Sequence, residues 1–80
     1  MNIGSTSPEY AYLELAALLR KRIASGEIAS RLPSLTELTA ETRLAIGTVR
    51  RAIGVLAREH LVQTVPGRGT FVTGSGRSAR

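Results

Sequence analysis

The side chains with most to offer chemically are arginines. Arg50 and Arg51 stand side by side in Gly47-Thr48-Val49-Arg50-Arg51-Ala52-Ile53, and Arg68 stands alone between Gly67 and Gly69. A guanidinium is planar, permanently charged and forked, so it matches phosphate oxygens and the edge of guanine. The other side chains do not assemble a reaction centre. There is no cysteine, which removes disulfides, thiolate metal sites and a thiol nucleophile. The single histidine, His60, has only Glu59 beside it as an acid, which argues against a histidine metal site or a Ser-His-Asp triad. Gly67-Arg68-Gly69-Thr70 lies between two β-type runs and has no lysine, so it is not a nucleotide-binding P-loop. The expectation is a binding protein, not an enzyme, with no cofactor.

The charge points the same way. The 80 residues carry a net charge of +5. Residues 1–42 hold Arg20, Lys21, Arg22 and Arg31 against five glutamates, whereas residues 43–80 hold seven arginines against Glu59 alone. A basic half is the footprint of a polyanion partner, nucleic acid first among them. A basic surface kept for solubility is the plain alternative. Three aromatic residues, Tyr10, Tyr12 and Phe71, are too few and scattered to stack single-stranded bases. No apolar run approaches a membrane span, and MNIGSTSPEY lacks the basic start and apolar stretch of a signal peptide, so a cytoplasmic protein without a membrane partner is expected.

The length leaves room for one domain. Residues 1–8 read as a flexible arm. Ser7-Pro8-Glu9 is a helix start, and Tyr12, Leu15, Ala16, Leu19 and Ile23 recur at helical steps, predicting a helix over about 9–25 that Ser25-Gly26 stops. Arg20, Lys21 and Arg22 form a solvated, dipole-compatible end. In the connector, Ile28 and Leu32 plug the core and Arg31-Leu32 is a candidate for a very short strand. Ser34-Leu35-Thr36-Glu37 is a capping box opening a short helix over about 34–41 with Leu35 and Leu38 inward. Val49, Ala52, Ile53 and Leu56 make the buried stripe of a third helix, about 46–59, whose other side carries Gly47, Thr48, Arg50, Arg51, Gly54 and Arg58. Leu61–Val65 and Phe71–Thr73 are strands joined by a glycine-rich tip. Residues 74–80 read as a flexible tail or a truncated linker. The fold class is therefore α+β: a three-helix bundle with a C-terminal β-hairpin, a winged helix-turn-helix over 9–73.

On that frame Arg50 reaches a base edge or phosphate, Arg51 a phosphate, and Thr48 a phosphate or a thymine methyl. Gly47 lets the helix approach a groove wall. Arg68 suits a narrow minor groove, with Gly67 and Gly69 allowing close backbone approach. Arg43, in the turn before the third helix, suits a phosphate. Ser34 caps its helix, and its hydroxyl or amide can also meet a phosphate there. Each has a plain alternative: a solvated helix face, turn chemistry, or a cap and nothing more. Gly54 has no account at this level, because a mid-helix glycine costs about 1 kcal/mol relative to alanine.

Several stretches together resemble the N-terminal DNA-binding domain of GntR-family bacterial transcription regulators. They are Leu15-Ala16, Ser25-Gly26-Glu27-Ile28, Leu32-Pro33-Ser34, Glu37-Leu38, Thr48-Val49-Arg50-Arg51-Ala52-Ile53 and Gly67-Arg68-Gly69-Thr70-Phe71-Val72. The resemblance covers Tyr12 to Val72 and implies binding to double-stranded DNA, usually repression, with two copies on a two-fold operator. It also implies a C-terminal effector domain, which residues 74–80 cannot hold; an excised domain or a short regulator, with no effector site of its own, is expected. Three positions differ from the family pattern. Thr36 replaces a frequent arginine, Ala45-Ile46 replaces Ser-Arg, and His60 stands where glycine is frequent. Ile46 offers a thymine methyl an apolar contact instead. A winged helix used for protein–protein contact is the competing function. The isolated chain is expected to dimerise weakly or not at all.

Overall fold

Residues 8–73 are described by a computed structural model of the chain. The arm at 1–7, its Ser7 cap and the tail at 74–80 lie outside the described residues. Among the described residues the order is α1 (Pro8–Ser25), α2 (Leu35–Thr42), α3 (Ile46–Arg58), β1 (Val62–Val65) and β2 (Gly69–Val72). The Ser7-Pro8-Glu9 start signal holds at Pro8, the first residue of α1 and one residue before the expected 9, where its fixed φ and missing N–H suit the first helical position.

Each boundary has a local cause. Ser34 caps α2: its hydroxyl accepts from the Glu37 amide at 3.1 Å, and the Glu37 carboxylate accepts from the Ser34 amide at 2.9 Å. This is the expected capping box, with Ser34 itself just outside the helix. At the far end, Arg43 takes a left-handed backbone (φ 60) and its amide donates to the Thr39 carbonyl. Buried Thr42 is satisfied by donating to the Leu38 carbonyl and accepting from the Leu44 amide. In α3, Ala45 is the N-cap and makes no side-chain cap bond. The other end closes as a Schellman motif: the His60 amide donates to Ala57 and the Leu61 amide to Leu56. His60 holds the left-handed position (φ 63) that glycine usually fills.

The core is the sum of the helix stripes. Leu15, Leu19, Leu38, Val49, Ala52 and Leu56 are all 0% exposed, and Ile28, Leu32, Val62 and Val72 seal the edges. α3 packs on α1, α2 and β1, so its outer face is left to solvent. β1 and β2 pair antiparallel in the register Val62↔Val72, Gln63↔Phe71, Thr64↔Thr70, Val65↔Gly69. The expected strand at 31–32 is a single bridge, Arg31↔Phe71. The end of α1 stays solvated, with Lys21 exposed, but two of its cations are paired: Arg20 makes a two-pronged bond to Glu59 at 2.8 and 2.7 Å, and Arg22 pairs with Glu27 at 2.8 Å. Glu59 lies where α3 ends against α1, a neighbour that sequence order does not reveal. The Arg20 bond holds the Glu59 carboxyl below the usual carboxylate range and raises the Arg20 guanidinium.

Candidate nucleic-acid interface

Helical geometry divides the surface of α3. At about 100° per residue, Gly47, Arg51, Gly54 and Arg58 lie opposite the stripe Val49, Ala52, Ile53 and Leu56. Arg50 and Ala57 flank that face on one side, and Val55 flanks it on the other. The hairpin folds back on the Arg50 side, and a groove of about 500 Å³ opens between α3 and the wing. Arg50, Gly54 and Ala57 form its helix wall, and Thr64, Pro66, Gly67 and Thr70 its wing wall.

The wing tip is built from residues that fit its turn. The Arg68 amide donates to the Val65 carbonyl at 2.9 Å, with Pro66 second and Gly67 (φ 77) third, the arrangement a type II turn requires. Arg68 thereby emerges at the apex, exposed. Thr64 and Thr70 meet across the strands, hydroxyl to hydroxyl at 3.2 Å. A second concavity, about 360 Å³, lies between the start of α2 and the wing and includes Thr36, Arg68, Gly69 and Thr70. It shares Thr64, Pro66, Gly67 and Thr70 with the first, so the two run into one another.

The candidate residues fall into two groups and two single positions. Arg50, Gly67, Arg68, Gly69, Thr70 and Thr36 line these joined concavities. Arg43, Ile46, Gly47 and Thr48 sit at the N-terminal end of α3 and line neither. Ile46 is 49% exposed there, a large apolar side chain turned to solvent. Arg51 departs from its partner: its guanidinium stacks on Tyr12 of α1, 4.1 Å from the ring centroid. Ser34 spends its hydroxyl and amide on the cap. These bonds, the Ser34 amide first, hold the Glu37 carboxyl below its ordinary range.

Sequence reasoning gave no site role to three participants. Tyr12, read as core or rim, is the stacking partner of Arg51. Gly54 forms part of the groove wall, and a Cβ added there would meet nothing within 4 Å. Arg31, read as connector, lays its guanidinium along β2. The strand tendency of residues 31–32 was the one signal for the last. Among the described residues there is no cluster of three or more His, Asp or Glu able to hold a metal ion. No described helix is long and apolar enough to cross a membrane.

Comparison with known proteins bears on the family and the fold. The model of bacterial regulatory proteins of the gntR family matches residues 11–72. The chain is 36% identical over 75 residues to the HTH-type transcriptional repressor NagR of Bacillus subtilis, covering 91% of this chain and 31% of that protein. It therefore spans about a third of that curated relative. A transcriptional regulator from Oenococcus oeni superposes with a TM-score of 0.75 at 30% identity, over 99% of this chain and 66% of the other. The DNA-binding domain of AraR, solved in complex with operator ORE1, superposes with a TM-score of 0.75 at 31% identity over 78% of each chain.

Proposed function

Given that the chain belongs to the gntR family of bacterial regulatory proteins, we propose that residues 9–73 are a sequence-specific module for double-stranded DNA and part of a transcriptional repressor. The observation that carries this reading is the groove in which Arg50 of α3 faces the wing turn. An α-helix fits the major groove, and a hairpin beside it reaches the adjacent minor groove. Arg50 reads a base edge, and Arg68 enters the minor groove, where narrow width concentrates negative potential. Gly67, Gly69 and Thr70 bring the wing backbone to the sugar-phosphate wall. Thr36, Arg43, Gly47, Thr48 and Arg51 contact phosphates or the groove wall around this centre, Ile46 meets a thymine methyl, and Ser34 sets the α2 end at the strand. Arg43 supports this in its own way: it keeps a long cation where the left-handed backbone would favour glycine. A relative named as a repressor and a superposable domain solved on its operator favour the same reading.

Two copies on a two-fold operator, in the cytoplasm, complete the proposal. In vitro selection from random duplexes tests it, followed by Arg50→Ala and Arg68→Ala on the recovered site. Binding that falls steeply with salt and is lost in both variants, with melting unchanged, is expected. Exposed Ile46 favours the competing protein-contact reading. That reading stands if no duplex is enriched and both variants behave as the parent.

A further inference from the structure

Arg31 lines the concavity between α2 and the wing but has no role assigned so far. Its segment is laid against β2 by two backbone bonds, Leu32 amide to Thr70 carbonyl at 2.9 Å and Val72 amide to Ser30 carbonyl at 2.7 Å. The side chain then runs towards the hairpin's turn. Its Nε lies 3.0 Å, and one terminal nitrogen 3.2 Å, from where a Cβ on Gly69 would stand. The same guanidinium carbon is 6.0 Å from the centroid of Phe71, on the same strand face two residues along. Gly69 thus serves twice: it takes a φ of 122° that side chains rarely adopt, and its missing side chain leaves a seat for the guanidinium.

The seated charge is available. Arg31 is exposed, whereas the arginines of α1 that form ion pairs among the described residues, Arg20 and Arg22, are bound to Glu59 and Glu27. Glu37 feels the Arg31 charge, but its carboxylate is held in the capping box by the Ser34 amide. Arg31 shares the concavity between α2 and the wing with Arg68 and Thr36. Beside Gly69 and 6.0 Å from the Phe71 ring centroid, the guanidinium presents its charge and its forked donors to an arriving anion.

We propose that Arg31 is a second cation of the wing, a phosphate-binding residue that grips a DNA strand bordering the minor groove that Arg68 enters, with Gly69 and Phe71 as its seat. This rests on the DNA-binding reading above. The probe is a fluorescently labelled mixed-sequence duplex of about 20 base pairs, long enough for two helical turns. Binding is measured over a salt series for the parent, Arg31→Gln and Arg31→Lys, with thermal melting as the check on folding. In Arg31→Gln the slope of log affinity against log salt becomes shallower by about 0.9, the share of one phosphate contact. Low-salt affinity falls about tenfold, and Arg31→Lys restores the slope. An unchanged slope in folded Arg31→Gln overturns the proposal. A second measurement needs no variant: in nitrogen-15-labelled parent protein, the Arg31 Nε–H resonance shifts as duplex is added. If the Arg50 resonance moves and the Arg31 resonance does not, this inference alone fails. If neither moves, the DNA-binding reading fails and takes this one with it.

Discussion

Replacing Gly54 by alanine should make the protein more stable and a poorer DNA binder. Gly54 sits in the interior of α3 with no positive φ, so its backbone gains nothing from being glycine. A Cβ built there meets nothing within 4 Å, so no clash opposes it and no packing rewards it. What remains is propensity. Glycine in a helix interior is about 0.5–1 kcal/mol worse than alanine, because it has more freedom to lose on folding. For a domain of this size 1 kcal/mol moves the melting temperature by about 4–8 °C, so Gly54→Ala should melt about 2–8 °C higher. The new methyl is added to the groove wall that Gly54 shares with Arg50 and Gly67, beside the base-reading and wing contacts proposed above. Duplex affinity should therefore drop in Gly54→Ala and drop further in Gly54→Leu. Circular dichroism melting and fluorescence anisotropy read the two effects on the same samples. A lower melting temperature for Gly54→Ala would refute the propensity argument, and full-affinity binding by Gly54→Leu would refute the role given to the groove.

Three further outcomes follow from the packing and the ion pairs. Leu56→Ala deletes a fully buried side chain where α3 meets the core and should cost about 2–5 kcal/mol, enough to populate the unfolded state of so small a domain in a chemical denaturation curve. Glu37 and Glu59 have folded pKa values below their ordinary ones, through the Ser34 amide and Arg20 respectively. Their contribution is complete above the ordinary carboxylate pKa of about 4.3 and is lost as pH falls through the lower folded values. Melting temperature should thus fall on acidification below that point, and less so in Glu37→Gln and Glu59→Gln; an equal fall in both variants counts against the assignment. The Arg20–Glu59 pair is 41% exposed on each side. A double-mutant cycle on it should give only about 0.2–1 kcal/mol of coupling, shrinking with added salt.

Much of the fold was legible because its causes are local. Ser34 and Glu37 announce the capping box within four residues, and the interior stripe of α3 is visible as a period. Pro66-Gly67 marks the hairpin turn, and His60 tolerates the left-handed closing position. The candidate site was legible as an inventory: arginines on one helix face, and one arginine between two glycines. Its arrangement was not. Arg50 and Arg51 are neighbours in sequence, yet a turn of about 100° sends Arg50 to the wing groove and Arg51 to Tyr12 on α1.

The amino-acid order by itself determined which elements form and which side of each helix is apolar, because caps, turns and periodic stripes act within a few residues; strand ends were less legible, since β2 begins at Gly69 and not at the expected Phe71. Tertiary packing alone decided that Arg20 meets Glu59 across 39 positions, that Arg31 lies on Gly69, and that Gly54 opens into a groove. Those approaches depend on how buried side-chain volumes fit three helices and a hairpin together. Such a fit belongs to the whole set of core residues at once and leaves no trace in the neighbours of any one of them.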